Sequence, residues 1–234
     1  MDTGAAGLSP DQQGPVMVAT HAAADTGRTG TAGEGPNLPE TIKSHPQLGK
    51  GIFLIANKGM DDPNFRQTVV LITEYNDTQT VGLVINRPLQ MPADKVFPSI
   101  HRLSQNSGYL HIGGPVALNS LQLLIQTGTE LDPSTHLFDD VYLVNDPKTL
   151  QALTHSDITT TAVRLYAGYA GWLSGQLESE LIRGDWYIWH ADMYTIFAKK
   201  PEAVWPELFR RVSAQWAQHK FDPTALPTLA GSDL

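Results

Sequence analysis

The sequence predicts an α+β fold in a single domain with much antiparallel pairing, and three observations carry that prediction. Short β-branched runs crowd the first half of the folded region, short polar turns separate them, and helical periodicities gather towards the end. Strands precede helices and also interleave with them, which argues against a regular βαβ alternation. The 234 residues suffice for one large domain, and no internal repeat is visible.

In chain order, Gly51–Ala56 reads as a buried strand, followed by a proline-containing loop at Asp61-Asp62-Pro63. Thr68–Thr73 and Val81–Asn86 are β-branched runs joined by Tyr75–Gln79, the spacing of a hairpin. Tyr109–Ile112, Leu121–Gln126 and Val141–Val144 are further strands. Pro147 opens a helix capped by Asp146 and running to about His155. Ala162–Ala167 is a strand that feeds a glycine turn over Gly168–Trp172. Leu173, Leu177 and Leu181 then give the following helix one apolar stripe, and Gly184 ends it. Asp185–His190 is a strand with Trp186 and Trp189 on opposite faces. Residues 192–199 and 201–217 are helical, the second beginning near Pro201. Trp205, Phe209, Val212 and Trp216 recur at spacings of 4, 3 and 4, an aromatic stripe expected to face the core.

Composition bounds the function. Residues 1–46 are rich in Ala, Gly, Thr, Pro and Asp, cannot bury enough apolar surface to offset their ordering entropy, and are expected to be disordered. The domain is expected over residues 47–219, with a flexible tail over 220–234. The net charge is −8, and five acids against two bases before residue 46 leave −5 for the remainder. That balance disfavours direct nucleic-acid binding and attraction to anionic membranes. No apolar run is long enough to span a bilayer, and no basic segment followed by an apolar one marks a secretory leader. The absence of cysteine removes disulfide and thiolate chemistry and fits a cytoplasmic protein.

Several motifs occur in a distinctive order. Gly59-Met60-Asp61-Asp62-Pro63-Asn64-Phe65 leads into Thr68-Val69-Val70-Leu71. Gly82-Leu83-Val84-Ile85-Asn86-Arg87-Pro88-Leu89 follows, then Gly113-Gly114-Pro115-Val116. Gly168-Tyr169-Ala170-Gly171-Trp172, Gly175-Gln176-Leu177-Glu178 and Trp186 complete the set. Together they resemble the bacterial AlgH-like (YqgE/AlgH) family over roughly residues 47–217. The resemblance implies a bifurcated, partly barrel-closed sheet flanked by helices, and the description of a transcriptional regulator. It carries over no catalytic residue. This chain departs from the family in having Thr73 and Tyr75 where many relatives place Cys and His, and in its long N-terminal extension.

The candidate binding surface gathers Asn86, Arg87, Gly113, Gly114 and Pro115 with Gly168, Tyr169, Gly171, Trp172, Gln176 and Glu178. A strand, a glycine-rich turn and a helix N-terminus can bind an anion through free amides. The same glycines can instead serve close packing, with Tyr169 and Trp172 in the core. Neither a phosphate-binding P-loop nor a dinucleotide fingerprint is present. Arg87 can clamp an anion, form a salt bridge or cap carbonyls. Glu178 can act as an acid or base, or pair with Arg87 or Arg164. Gly113-Gly114-Pro115 is either a tight turn or a loop that hugs a ligand. The eight histidines are scattered without a metal-binding spacing, and Ser174 lies outside a G-x-S-x-G elbow, so neither a metal, a cofactor nor a hydrolase nucleophile is expected. The leading reading is a cytoplasmic, non-catalytic regulatory or protein-interaction module that works through a protein partner. The alternative is a small-anion-binding protein or enzyme using the glycine turn, Arg87 and Glu178.

Overall fold

The computed structural model describes residues 48–96, 108–129, 132–146, 149 and 162–220, with backbone alone for 216–220. The expected disordered extension and C-terminal tail lie outside the described residues. So does the expected helix after Pro147, apart from its start, where the Asp146 carboxylate accepts from the Thr149 amide over 2.8 Å as a cap does.

Ten strands form one curled, largely antiparallel sheet, a half-barrel flanked by helices. β1 (Ile52–Ala56), β2 (Val69–Tyr75) and β3 (Gln79–Val84) pair in sequence, and β2 and β3 make the expected hairpin. β4 (Pro88–Pro92), α1 (Ala93–Val96) and β5 (Tyr109–Ile112) lie to one side. β6 (Val116–Gln126), β7 (Thr135–Phe138) and β8 (Val141–Val144) form the far flank, and β9 (Ala162–Leu173) runs through the middle. α2 (Gln176–Arg183), β10 (Trp186–His190), α3 (Met193–Phe197) and α4 (Pro201–Lys220) complete the chain. The strand path is β10-β1-β2-β3-β9-β6-β8-β7.

The sheet forks at β9. Ala162–Ala167 pairs with β6, and on the opposite edge Tyr166 and Ala167 pair with β5, the one parallel contact among the described strands. Beyond Gly168, Ala170–Leu173 pairs with β3. Gly113 sits in the crotch of the fork, donating to Ala167 over 2.8 Å and accepting from the Val84 amide over 2.7 Å. A Cβ on Gly113 would run into the Gly168 carbonyl, and one on Gly114 into the Tyr169 carbonyl. Gly168 itself has a φ of +69°, and a Cβ there would stand 2.7 Å from both the Gly114 and Val116 oxygens. Only glycine satisfies both demands.

This geometry corrects the expected glycine turn. Gly168–Trp172 is not a strand-to-helix junction but the second half of a twelve-residue strand, and the junction falls at Ser174-Gly175. Leu173 accordingly lies in β9 and is 54% exposed, while Leu177 and Leu181 alone form the buried stripe of α2. Gly184, in the left-handed region, ends that helix as expected.

Alternation along the strands sorts the apolar residues into separate cores. Phe53, Ile55, Leu71 and Leu83 face a concave core closed by Val204, Leu208 and Val212 of α4. Trp205 and Phe209 pack at its margin as the aromatic stripe requires, and the Trp216 side chain lies outside the described residues. Leu54, Val70, Ile72 and Val84 face the opposite core beneath α2, so β1 is buried throughout. A third cluster, with Leu123, Ile125, Val163 and Leu165, lies below α1.

Candidate functional site

The residues singled out by the sequence are distributed over structural tasks. The Asn86 carboxamide accepts from the Val69 amide over 2.9 Å and donates to the Gln67 carbonyl over 2.9 Å, tying the 63–67 turns to the sheet. Arg87 donates from Nη2 to the carbonyls of Pro63 and Arg66, at 2.9 and 3.1 Å. Burial lowers its pKa, with Asp62 opposing that effect. Of its alternatives, carbonyl capping is the one observed. Pro88 does not end the ladder but opens β4, opposite His111.

Glu178 meets neither Arg87 nor Arg164, contrary to the expected ion pair. It accepts from the Tyr75 hydroxyl over 2.7 Å. Burial first, and then this carboxylate, push the Tyr75 hydroxyl up to about 12. The amides of Tyr169 to Trp172 run within the sheet, opposite β6 and β3, so no free-amide nest forms there. The structure therefore joins the glycines to one another and leaves Arg87 and Glu178 in separate neighbourhoods.

Glu180, which lies outside the candidate surface drawn from the sequence, organises this region. Glu180 Oε2 accepts from the indole N–H groups of Trp172 and Trp186, both at 2.9 Å, and its Oε1 accepts from Gln176 over 3.1 Å. Phe65 stacks on Trp172 at 6.0 Å and meets Trp186 edge-on at 5.6 Å. The Phe65 loop is thereby locked to α2 and β10. The i, i+4 relation of Gln176 to Glu180 was the available signal.

A second polar cluster lies under α3. His111, 3% exposed, bonds the Tyr109 carbonyl from Nδ1 at 2.8 Å, and its Nε2 lies 2.8 Å from Arg164 Nη1. Since Arg164 can only donate, Nε2 accepts, which makes His111 a neutral Nδ1–H tautomer. Burial and then the Arg164 charge push its pKa down to about 4. The Tyr166 hydroxyl beside it is fully buried and unpaired among the described residues, and its pKa is raised by that burial.

An open cleft of about 400 Å³ opens off the concave core, sharing Leu143 and Tyr169 with it. Its polar lining includes Thr73 and Gln79 from the hairpin, Ser120 and Gln122 from β6, Asn145 after β8, and Tyr169. Gln122 interrupts the run Leu121–Ile125, is 5% exposed as a residue, and lines the cleft. Tyr169 is the one candidate from the sequence that lines it. Among the described residues, no group of three or more His, Asp or Glu side chains converges as metal ligands. No described helix is long and apolar enough to cross a membrane.

Comparison with known proteins agrees with the fold. A family profile described as AlgH-like matches residues 53–217. A UPF0301 protein of Chlorobaculum tepidum is 31% identical over 170 residues, covering 72% of this chain and 89% of that protein. A UPF0301 protein of Rhodococcus jostii is 32% identical, covering 73% and 86%. Among solved structures, a Corynebacterium diphtheriae protein matches with a TM-score of 0.61 and 27% identity, over 71% of this chain and 88% of that one. The solution structure of the AlgH protein from Pseudomonas aeruginosa matches with a TM-score of 0.54 and 28% identity, over 82% and 100%.

Proposed function

The chain belongs to the AlgH-like family, and from that premise we propose that it is a non-catalytic regulatory module whose recognition site is the polar cleft. The carrying observation is the preformed cleft itself, whose walls gather polar side chains from β2, β3, β6, β7 and β9, Gln122 and Tyr169 among them. Ligand pockets commonly combine a mostly preformed cavity with a few placed polar groups, and a volume of about 400 Å³ falls within their range. The rival constellation of Arg87 and Glu178 lacks comparable support, because each is held by a different structural bond. On this reading the protein works in the cytoplasm and passes occupancy of the cleft to a protein partner. The −5 balance outside the N-terminal extension favours such contacts over direct binding to nucleic acid.

The test is amide NMR of the full chain against amino acids, nucleosides, sugars and phosphorylated compounds. The expected result is shift changes clustered on β6, β8 and Tyr169, with every responding compound recovered unchanged after prolonged incubation. Conversion of a compound, or a response mapped to Arg87 and Glu178, would overturn this reading.

A further inference from the structure

Resting on the assignment of the cleft as the recognition site, we infer that its ligand is a neutral, polyhydroxylated small molecule such as a free monosaccharide or a cyclic polyol. Among the described residues the lining contains no lysine or arginine, and Glu74 is its one ionised side chain. Glu74 Oε1 already accepts from Asn76 and Gln79, at 2.6 and 3.0 Å. A phosphate or carboxylate only accepts hydrogen bonds and is best held by cations, which the described lining lacks. An ammonium group only donates and is best held by several carboxylates or an aromatic cage, where the cleft offers one carboxylate and one tyrosine.

The remaining groups are of the kind that both donate and accept. Thr135, Ser120 and Tyr169 supply hydroxyls, and Gln122 and Asn145 supply carboxamides. A sugar or polyol hydroxyl has the same dual character, so each can pair with such a wall in either sense. Val81, Leu143 and the Tyr169 ring add apolar surface suited to the C–H face of a ring. Gln122 sets the depth of the site. Its carboxamide can both donate to and accept from a ligand hydroxyl.

The experiment titrates the full chain with D-glucose, D-galactose, D-mannose and myo-inositol, using inorganic phosphate and ethanolamine as charged probes, followed by amide NMR. At least one neutral probe is expected to shift cleft resonances saturably. Gln122→Leu should weaken it roughly three- to tenfold, the loss of one neutral hydrogen bond. Asn145→Ala, at an exposed position, provides a second variant whose folding is not in question. Cleft shifts from phosphate or ethanolamine alone would overturn the ligand class while leaving the cleft as the recognition site. Cleft shifts from nucleosides or amino acids but no neutral polyol would do the same. Silence of the cleft towards every probe would overturn both, as would neutral binding unaffected by Gln122→Leu and Asn145→Ala.

Discussion

Arg164 rests on His111, its Nη1 2.8 Å from the imidazole Nε2, so a half-buried cation is held by a base that must stay neutral to accept it. Among the described residues no carboxylate pairs with Arg164. Protonating His111 would break this bond and set two positive charges against each other.

A pH dependence follows. Above the unfolded value of 6.5, His111 is neutral in both states and its contribution to stability is fully present. As pH falls, the unfolded chain takes up the proton first, and the contribution is lost down to the folded value of about 4. The window corresponds to roughly 3 kcal/mol at most. Denaturant unfolding of the wild type and His111→Gln between pH 7.5 and 4 checks this. The wild type should lose more stability than the variant across that range, and parallel curves would contradict it.

The fork makes a second prediction. Gly168→Ala should cost about 2–5 kcal/mol, combining a left-handed backbone with contacts to two fixed carbonyl oxygens. Gly128→Ala, where nothing stands within 4 Å of an added Cβ, should stay within about 0.5 kcal/mol. Equal effects in chemical denaturation would mean that the fork does not depend on Gly168.

Arg87 and Glu178 make a third. Arg87→Ala removes two carbonyl contacts and should destabilise by about 1–2 kcal/mol. Glu178→Gln keeps an acceptor for Tyr75 and should change stability by less than about 0.5 kcal/mol. Since the two side chains share no partner, the double variant should be additive within about 0.5 kcal/mol. A larger coupling energy in the mutant cycle would join them into one site after all.

These sites differ in how far local sequence reveals them. β1, the β2–β3 hairpin, β5, β8, β10 and the last two helices follow from periodicity and turn residues, which act over a few neighbours. β4 escaped notice because Pro88 and Pro92 mark it as a loop, although an edge strand tolerates both. The full length of β9 was hidden for a related reason. Gly168 and Gly171 look like punctuation locally, whereas close approach to Gly114 and Val116 demands glycine at 168. The cleft is less legible still. Its lining comes from six strands and the residue after β8, one or two side chains from each, and the polar ones look like ordinary solvent-facing positions. Gln122 within an apolar run was the only irregularity to find.

The last prediction separates architecture from chemistry at Glu180. This carboxylate resembles a catalytic acid on a helix, but its contacts assign it to holding two indoles in place. Glu180→Ala would leave the N–H groups of Trp172 and Trp186, both almost fully buried, without their acceptor. The expected destabilisation is about 2–4 kcal/mol, from two unsatisfied donors at roughly 1–3 kcal/mol each with partial relaxation. Glu180→Gln retains a carbonyl oxygen that can accept from both rings, and Gln176 can turn its amide to meet the new N–H₂ group. Its cost should therefore be near 1 kcal/mol. Tryptophan emission and denaturant midpoints report on both variants. A Gln variant as damaging as Ala would show that the negative charge, and not only the acceptor oxygen, holds the two indoles.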